Sequence, residues 1–148
     1  MSQANVELLR KINEAFNRGD VEGLLEMCAD DLEVEDLNNA PDLPPVVFGK
    51  AQARRMFAAW ADAFDDFGGE IEEYLDVDDR HVGCVVNYRG TQRSTGLEVH
   101  FRAVDMWEVR EGKFVRGTLA YPDRQSALEA VGFSSAPQAR AGDRGTGQ

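Results

Sequence analysis

The sequence predicts an α+β fold, a strongly curved antiparallel (mixed) sheet wrapped as a cone over three helices of the N-terminal half. Two observations lead there. Helical periodicity dominates up to about residue 67, broken by one strand-like stretch and a proline-rich loop. From Glu70 the pattern becomes strand, turn, strand as far as Tyr121. Helices followed by a run of antiparallel strands place the helices on one face of a sheet. A sheet curved around three helices leaves a cavity at its open end, the natural ligand site.

The elements follow in order. Ala4, Leu8, Leu9, Ile12, Ala15 and Phe16 recur at three- and four-residue spacing and predict the first helix. Gly19 suits the left-handed position that closes it, and Asp20 suits the N-cap of the next. Val21, Leu24, Leu25 and Cys28 give a short second helix one apolar face, ended by Ala29-Asp30-Asp31. Leu32, Val34 and Asp36 then share one side of a strand, with Glu33 and Glu35 on the other. Residues 38–45 hold three prolines and no period, which predicts a loop. Ala53, Met56, Phe57, Trp60 and Phe64 form the stripe of a third helix that starts after Gly49 and ends at Gly68-Gly69. Ile71, Glu73, Leu75 and Val77 alternate in a strand, and Val82, Cys84, Val86 and Tyr88 in the next. Residues 98–110 are a long strand, Glu111-Gly112 a hairpin turn, and residues 113–121 its return. Residues 123–131 predict a closing helix. One domain thus spans residues 1–133, and the small, polar, aperiodic residues 134–148 are expected to be a disordered tail.

Composition narrows the function. With 148 residues, 43% hydrophobic and 29% charged, the chain holds enough apolar mass for one core and is not a disordered polymer. No run approaches the ~18 apolar residues of a membrane span. The N-terminus lacks the apolar stretch of a secretory leader, so a cytoplasmic protein is expected. Residues 1–79 hold 20 acids and 6 bases, and the remainder 7 acids and 10 bases, for a net charge of -11. A body this acidic repels phosphate backbones, which argues against nucleic acid as a partner. Cys28 and Cys84 are far apart and read as reduced, buried thiols. His81 and His100 lack ligand-spaced partners, so no metal is expected. No phosphate-cradling glycine loop and no spacing for a serine or cysteine nucleophile is present, and no cofactor is implied.

The informative residues are acids on apolar strand faces. Asp105 shares a face with Val99, Phe101, Ala103, Trp107 and Val109. A one-residue slip that moved it outward would also expose Phe101 and Trp107. A carboxyl buried there holds its proton and can donate a hydrogen bond to a developing oxyanion. Asp36, inward after Leu32 and Val34, repeats the pattern. Two inward carboxylates on different strands make an acid/base pair. The structural alternatives are specific: Asp36 capping a turn before the proline-rich loop, and Asp105 satisfied by Tyr88 or Tyr121. Glu73 is a third inward acid on that alternation, expected on an edge strand and solvated. Phe57, Trp60, Val86, Tyr88, Phe101, Trp107 and Tyr121 are the candidates for core or ligand wall.

Asn17-Arg18-Gly19-Asp20, Ala29-Asp30-Asp31-Leu32-Glu33-Val34-Glu35-Asp36, Phe48-Gly49-Lys50 and residues 104–113 (VDMWEVREGK), in that order and spacing, resemble the ketosteroid isomerase and SnoaL-like branch of the nuclear transport factor 2-like superfamily. The likeness covers about residues 4–133. It implies the cone-shaped fold, a hydrophobic pocket and a homodimer formed through the sheet. It also implies Asp36 as the proton-shuttling base and Asp105 as the protonated oxyanion donor of the isomerases. Ile12 stands where those isomerases place an oxyanion-hole tyrosine, and loss of one such donor typically costs ~10²–10³ in rate. The arginine-and-paired-aspartate arrangement of the limonene epoxide hydrolase branch is not evident, the corresponding fourth-strand positions holding Asn87 and Arg89. Residues 121–133 resemble the C-terminal helix of bacterial SnoaL-like members. The expected function is a small cofactor-independent isomerase or cyclase that moves a proton beside a carbonyl of an apolar, polyketide- or steroid-like ligand. The rival, from another class, is a non-catalytic small-molecule-binding or dimerisation module. Val104 and Met106, apolar on the otherwise polar face, are the residues a partner sheet would cover.

Overall fold

Periodicity in the first residues produces α1 (Gln3–Asn17), with Leu9, Ile12 and Ala15 buried. Gly19, at φ 74°, turns the chain out of it. Asp20 then caps α2 (Val21–Glu26), its Oδ1 accepting the Gly23 N–H at 2.9 Å. The other elements are β1 (Cys28–Asp36), β2 (Val46–Phe48), α3 (Gly49–Ala63), β3 (Phe64–Asp76), β4 (His81–Gln92), β5 (Glu98–Arg110), β6 (Lys113–Tyr121) and α4 (Arg124–Ala130). This computed structural model describes residues 3–38 and 44–133. The expected tail at 134–148 and most of the expected 38–45 loop lie outside the described residues.

The six strands form one curved mixed sheet in the order β2-β1-β6-β5-β4-β3. β1 runs parallel to β6, and every other pair is antiparallel. The architecture is α+β. The inner face packs on α1, α2 and α3 in one core that includes Leu9, Leu25, Leu32, Val34, Phe57, Val86, Trp107 and Phe114. β6 passes close under Trp107 at Gly117, where a Cβ would lie 2.4 Å from the indole. At the outer edge, β3 meets α1 through Asn17. Its Nδ2 donates to the Gly69 carbonyl and its Oδ1 accepts the Gly69 N–H, both at 2.9 Å.

Several elements depart from the sequence reading. The third helix ends at Ala63, and Gly68-Gly69 lie inside β3. Phe64 is already extended and pairs with Gln92, so strand pairing overrides a helical spacing that runs on through Phe64 and Phe67. Cys28 opens β1 instead of closing the face of α2. β3 carries register shifts between Asp65 and Gly68 and between Ile71 and Glu73. The second shift breaks the two-residue period, so Glu73 turns to the outside and pairs with Arg124. Finally, Val104 and Met106 are not open to a partner sheet. α4 lies over them, and with Val85 and Ala127 they make a second buried cluster on the outer face. That apolar patch is covered by α4 and is not free for a partner sheet.

Candidate active site

The curved sheet and the helices leave a cavity that opens to solvent. Leu9, Ile12, Asn13 and Phe16 of α1 form one wall, and Phe57 and Trp60 of α3 another. The sheet contributes Phe67 and Ile71 from β3, Cys84 and Tyr88 from β4, Phe101, Asp105 and Trp107 from β5, and Leu119 and Ala120 from β6. Asp36 and Asn38 stand at the end of β1. No lysine, arginine or histidine lines it among the described residues, so the charges facing this apolar space are two carboxylates.

Asp36 and Asp105 are 3% and 4% exposed, each on an inward strand face. Asp36 Oδ1 accepts the Asn38 N–H at 2.9 Å, the turn-capping bond that its place at a strand end allows. Its Oδ2 accepts the Trp60 indole N–H at 3.0 Å. Asp105 Oδ2 accepts the Tyr88 hydroxyl at 2.5 Å, and Oδ1 accepts the Ala120 N–H at 2.9 Å. Ala120 sits at φ 72° in a bulge where β6 slips against β5 between Val104 and Met106. An L-residue held in the left-handed region is costly, and here the conformation turns an amide toward a buried carboxylate. Each carboxylate oxygen therefore has one protein donor and keeps acceptor capacity for a ligand.

Burial pushes the Asp105 carboxyl up to about 6, against hydrogen bonds from Tyr88 and Ala120 that pull it down; the nearby Asp36 charge adds to the rise. Burial, reinforced by the Asp105 charge, holds both the Tyr88 phenol and the Cys84 thiol well above their ordinary ranges, so both are protonated at neutral pH. The site thus contains one acid that titrates close to neutrality and one phenol that stays a donor. Among the described residues no group of three or more His, Cys, Asp or Glu side chains is placed to hold a metal ion.

Of the residues singled out in the sequence, Asp36, Asp105, Phe57, Trp60, Tyr88, Phe101 and Trp107 meet at this cavity. Val86 and Tyr121, expected on the ligand wall, lie elsewhere. Val86 is sealed in the core. The bulge at Ala120 rotates Tyr121 to the outer face, where it packs with the cluster under α4. Ile12 lines the wall and offers no hydrogen bond. Sequence reasoning missed Phe67, Asn13, Asn38 and Ala120. Phe67 follows Phe64 by three residues, a helical spacing that hides its place on β3.

The family model for the SnoaL-like domain matches residues 9–117. The chain belongs to the SnoaL-like family. Solved structures of the same fold surround this SnoaL-like chain. TerC, co-crystallised with polyporic acid, is 18% identical, with TM-score 0.70, over 80% of this chain and 92% of its own. A Mycobacterium tuberculosis protein in complex with estradiol-17beta-hemisuccinate is 16% identical, with TM-score 0.71, over 81% and 94%. The epoxide hydrolase/cyclase-like enzyme SalBIII is 22% identical, with TM-score 0.68, over 80% and 90%. At these identities the SnoaL-like chain shares a fold with them, while the curated proteins contain no match to it.

Proposed function

We propose that this SnoaL-like protein is a cofactor-independent isomerase or cyclase that moves a proton beside a carbonyl of an apolar ligand held in the cone. The observation that supports the reading most is the pair Asp36 and Asp105, two buried carboxylates on one apolar cavity wall with acceptor capacity left on each. Asp36, steadied by Trp60 and the Asn38 amide, takes the proton from the carbon next to the carbonyl. The C–H electron pair moves onto the carbonyl oxygen. Asp105 at about 6 is mostly ionised at pH 7, and a ligand that expels the remaining water drives it further toward the neutral form. Protonated, Asp105 donates to Tyr88, which frees the phenol hydrogen to stabilise the oxyanion in place of the donor missing at Ile12. Return of the proton at a second carbon completes an isomerisation. Attack of the carbanion on a second carbonyl carbon of the same ligand opens that C=O bond, and the resulting alkoxide takes the proton back from Asp36, which completes a cyclisation. The TerC and estradiol complexes support an apolar polycyclic or quinone-like ligand class. The free thiols Cys28 and Cys84 suit a reducing cytoplasm, and the family likeness supports a homodimer.

The test is hydrogen–deuterium exchange beside the carbonyl in a panel of apolar ketones, followed by NMR. The wild-type protein is expected to catalyse it, and Asp36→Asn to slow it by ~10²-fold or more. Full exchange in the variant removes the base assignment. The occupied carboxylate oxygens and the apolar Ile12 favour a second reading, a binding module. Tight ligand binding without exchange in the wild type would select it.

A further inference from the structure

We propose that Phe67 is a positioning residue whose ring locks Trp60 and Tyr88 into one stacked array and thereby fixes the hydrogen-bond donors of Asp36 and Asp105. The proposal takes its meaning from the proton-transfer reading above, but its measurement needs no substrate. Trp60 reaches Asp36 through its indole N–H at 3.0 Å, and Tyr88 reaches Asp105 through its hydroxyl at 2.5 Å. The Trp60 bond needs one rotation of the indole, and the Tyr88 bond needs the ring axis, on which the hydroxyl lies, to keep its direction.

Phe67 sets both orientations. Its ring stacks on Trp60 with centroids 5.1 Å apart and planes 18° apart, and on Tyr88 at 5.6 Å and 3°. Phe64 backs the array, stacked on Trp60 at 5.6 Å and tilted against Phe67 at 4.9 Å. The backbone is arranged to aim this ring. Asp66 is held at φ 54°, and β3 slips its register between Asp65 and Gly68, so that Phe67 turns into the cavity. On β4, Gly90 makes room for it: a Cβ there would lie 2.8 Å from Phe67 Cδ1 and 3.1 Å from its Cα. Phe67 lines the cavity together with the two rings it stacks on.

The experiment compares Phe67→Leu, which keeps apolar volume and loses the flat face, with Phe67→Tyr, which keeps the face. Carboxyl carbon NMR follows the titration of Asp105, and hydrogen exchange follows the Trp60 indole. The Tyr88 bond holds the Asp105 midpoint below where burial alone would put it. Loosening that bond in Phe67→Leu is therefore expected to raise the midpoint by about one pH unit. Trp60 indole exchange should quicken by about tenfold. Phe67→Tyr should leave both near wild type. If Phe67→Leu fails to fold, Phe67→Met is read in the same way. A variant that melts earlier yet leaves the midpoint and the exchange rate unchanged overturns the proposal and gives Phe67 a purely structural role. Because no substrate enters the measurement, that result leaves the base assignment of Asp36 to its own test.

Discussion

A carboxyl that titrates near 6 inside a protein and near ~3.9 in an unfolded chain makes folding depend on pH. Asp105 binds its proton more tightly in the folded state. Its contribution to stability is therefore fully present below about pH 4 and is lost as pH rises through about 6. A difference of about two pH units corresponds to roughly 3 kcal/mol. Asp105→Asn removes that dependence, because the amide never ionises and can still exchange a hydrogen bond with Tyr88. Urea unfolding at pH 5 and pH 8 checks this: the variant should gain stability over wild type at pH 8 and show a smaller difference between the two pH values. An unchanged difference would show that Asp105 is not buried as described. At this scale the sequence was most legible where one charge interrupts an apolar alternation, as at Asp36 and Asp105. It was silent on Ala120 and Asn38, which act through backbone amides that no side-chain pattern announces.

β5 follows its two-residue period closely enough for its limits to be read directly. β3 does not, because two register shifts reset which side each residue faces. That is why Glu73 points outward and why Phe67 looked helical. α4 shows the other limit. Its seven residues are too few to form a helix alone, and packing of Ala127 against Val104 and Met106 holds it in place. Its start depends on Asp123, whose Oδ1 accepts the Ser126 N–H at 2.8 Å; that bond holds the Asp123 carboxyl below its usual range. Asp123→Ala is expected to cost about 1 kcal/mol of helix stability. Amide exchange should then quicken in α4 and at Val104 and Met106 while the cavity face keeps its protection. Uniform quickening across the sheet would mean that α4 and the cone unfold as one unit.

Across the whole molecule, the acidic first half and the basic second half are joined by ion pairs. Arg93 meets Asp65 at 2.8 Å, Arg102 meets Glu72 at 2.7 Å, and Arg124 meets Glu73. Exposed pairs of this kind add little stability each, so they shape the surface more than they hold the fold. With α4 covering the apolar patch, the proposed homodimer rests on family likeness alone. Light scattering at micromolar concentration should give twice the 16.4 kDa chain mass; a single species at the chain mass would end that expectation. The clamp of Asn17 on Gly69 matters at this scale too. β3 is a long outermost strand whose backbone would otherwise offer a free template to any passing extended chain. By occupying both groups of Gly69, one asparagine interrupts the row of free backbone groups along that border.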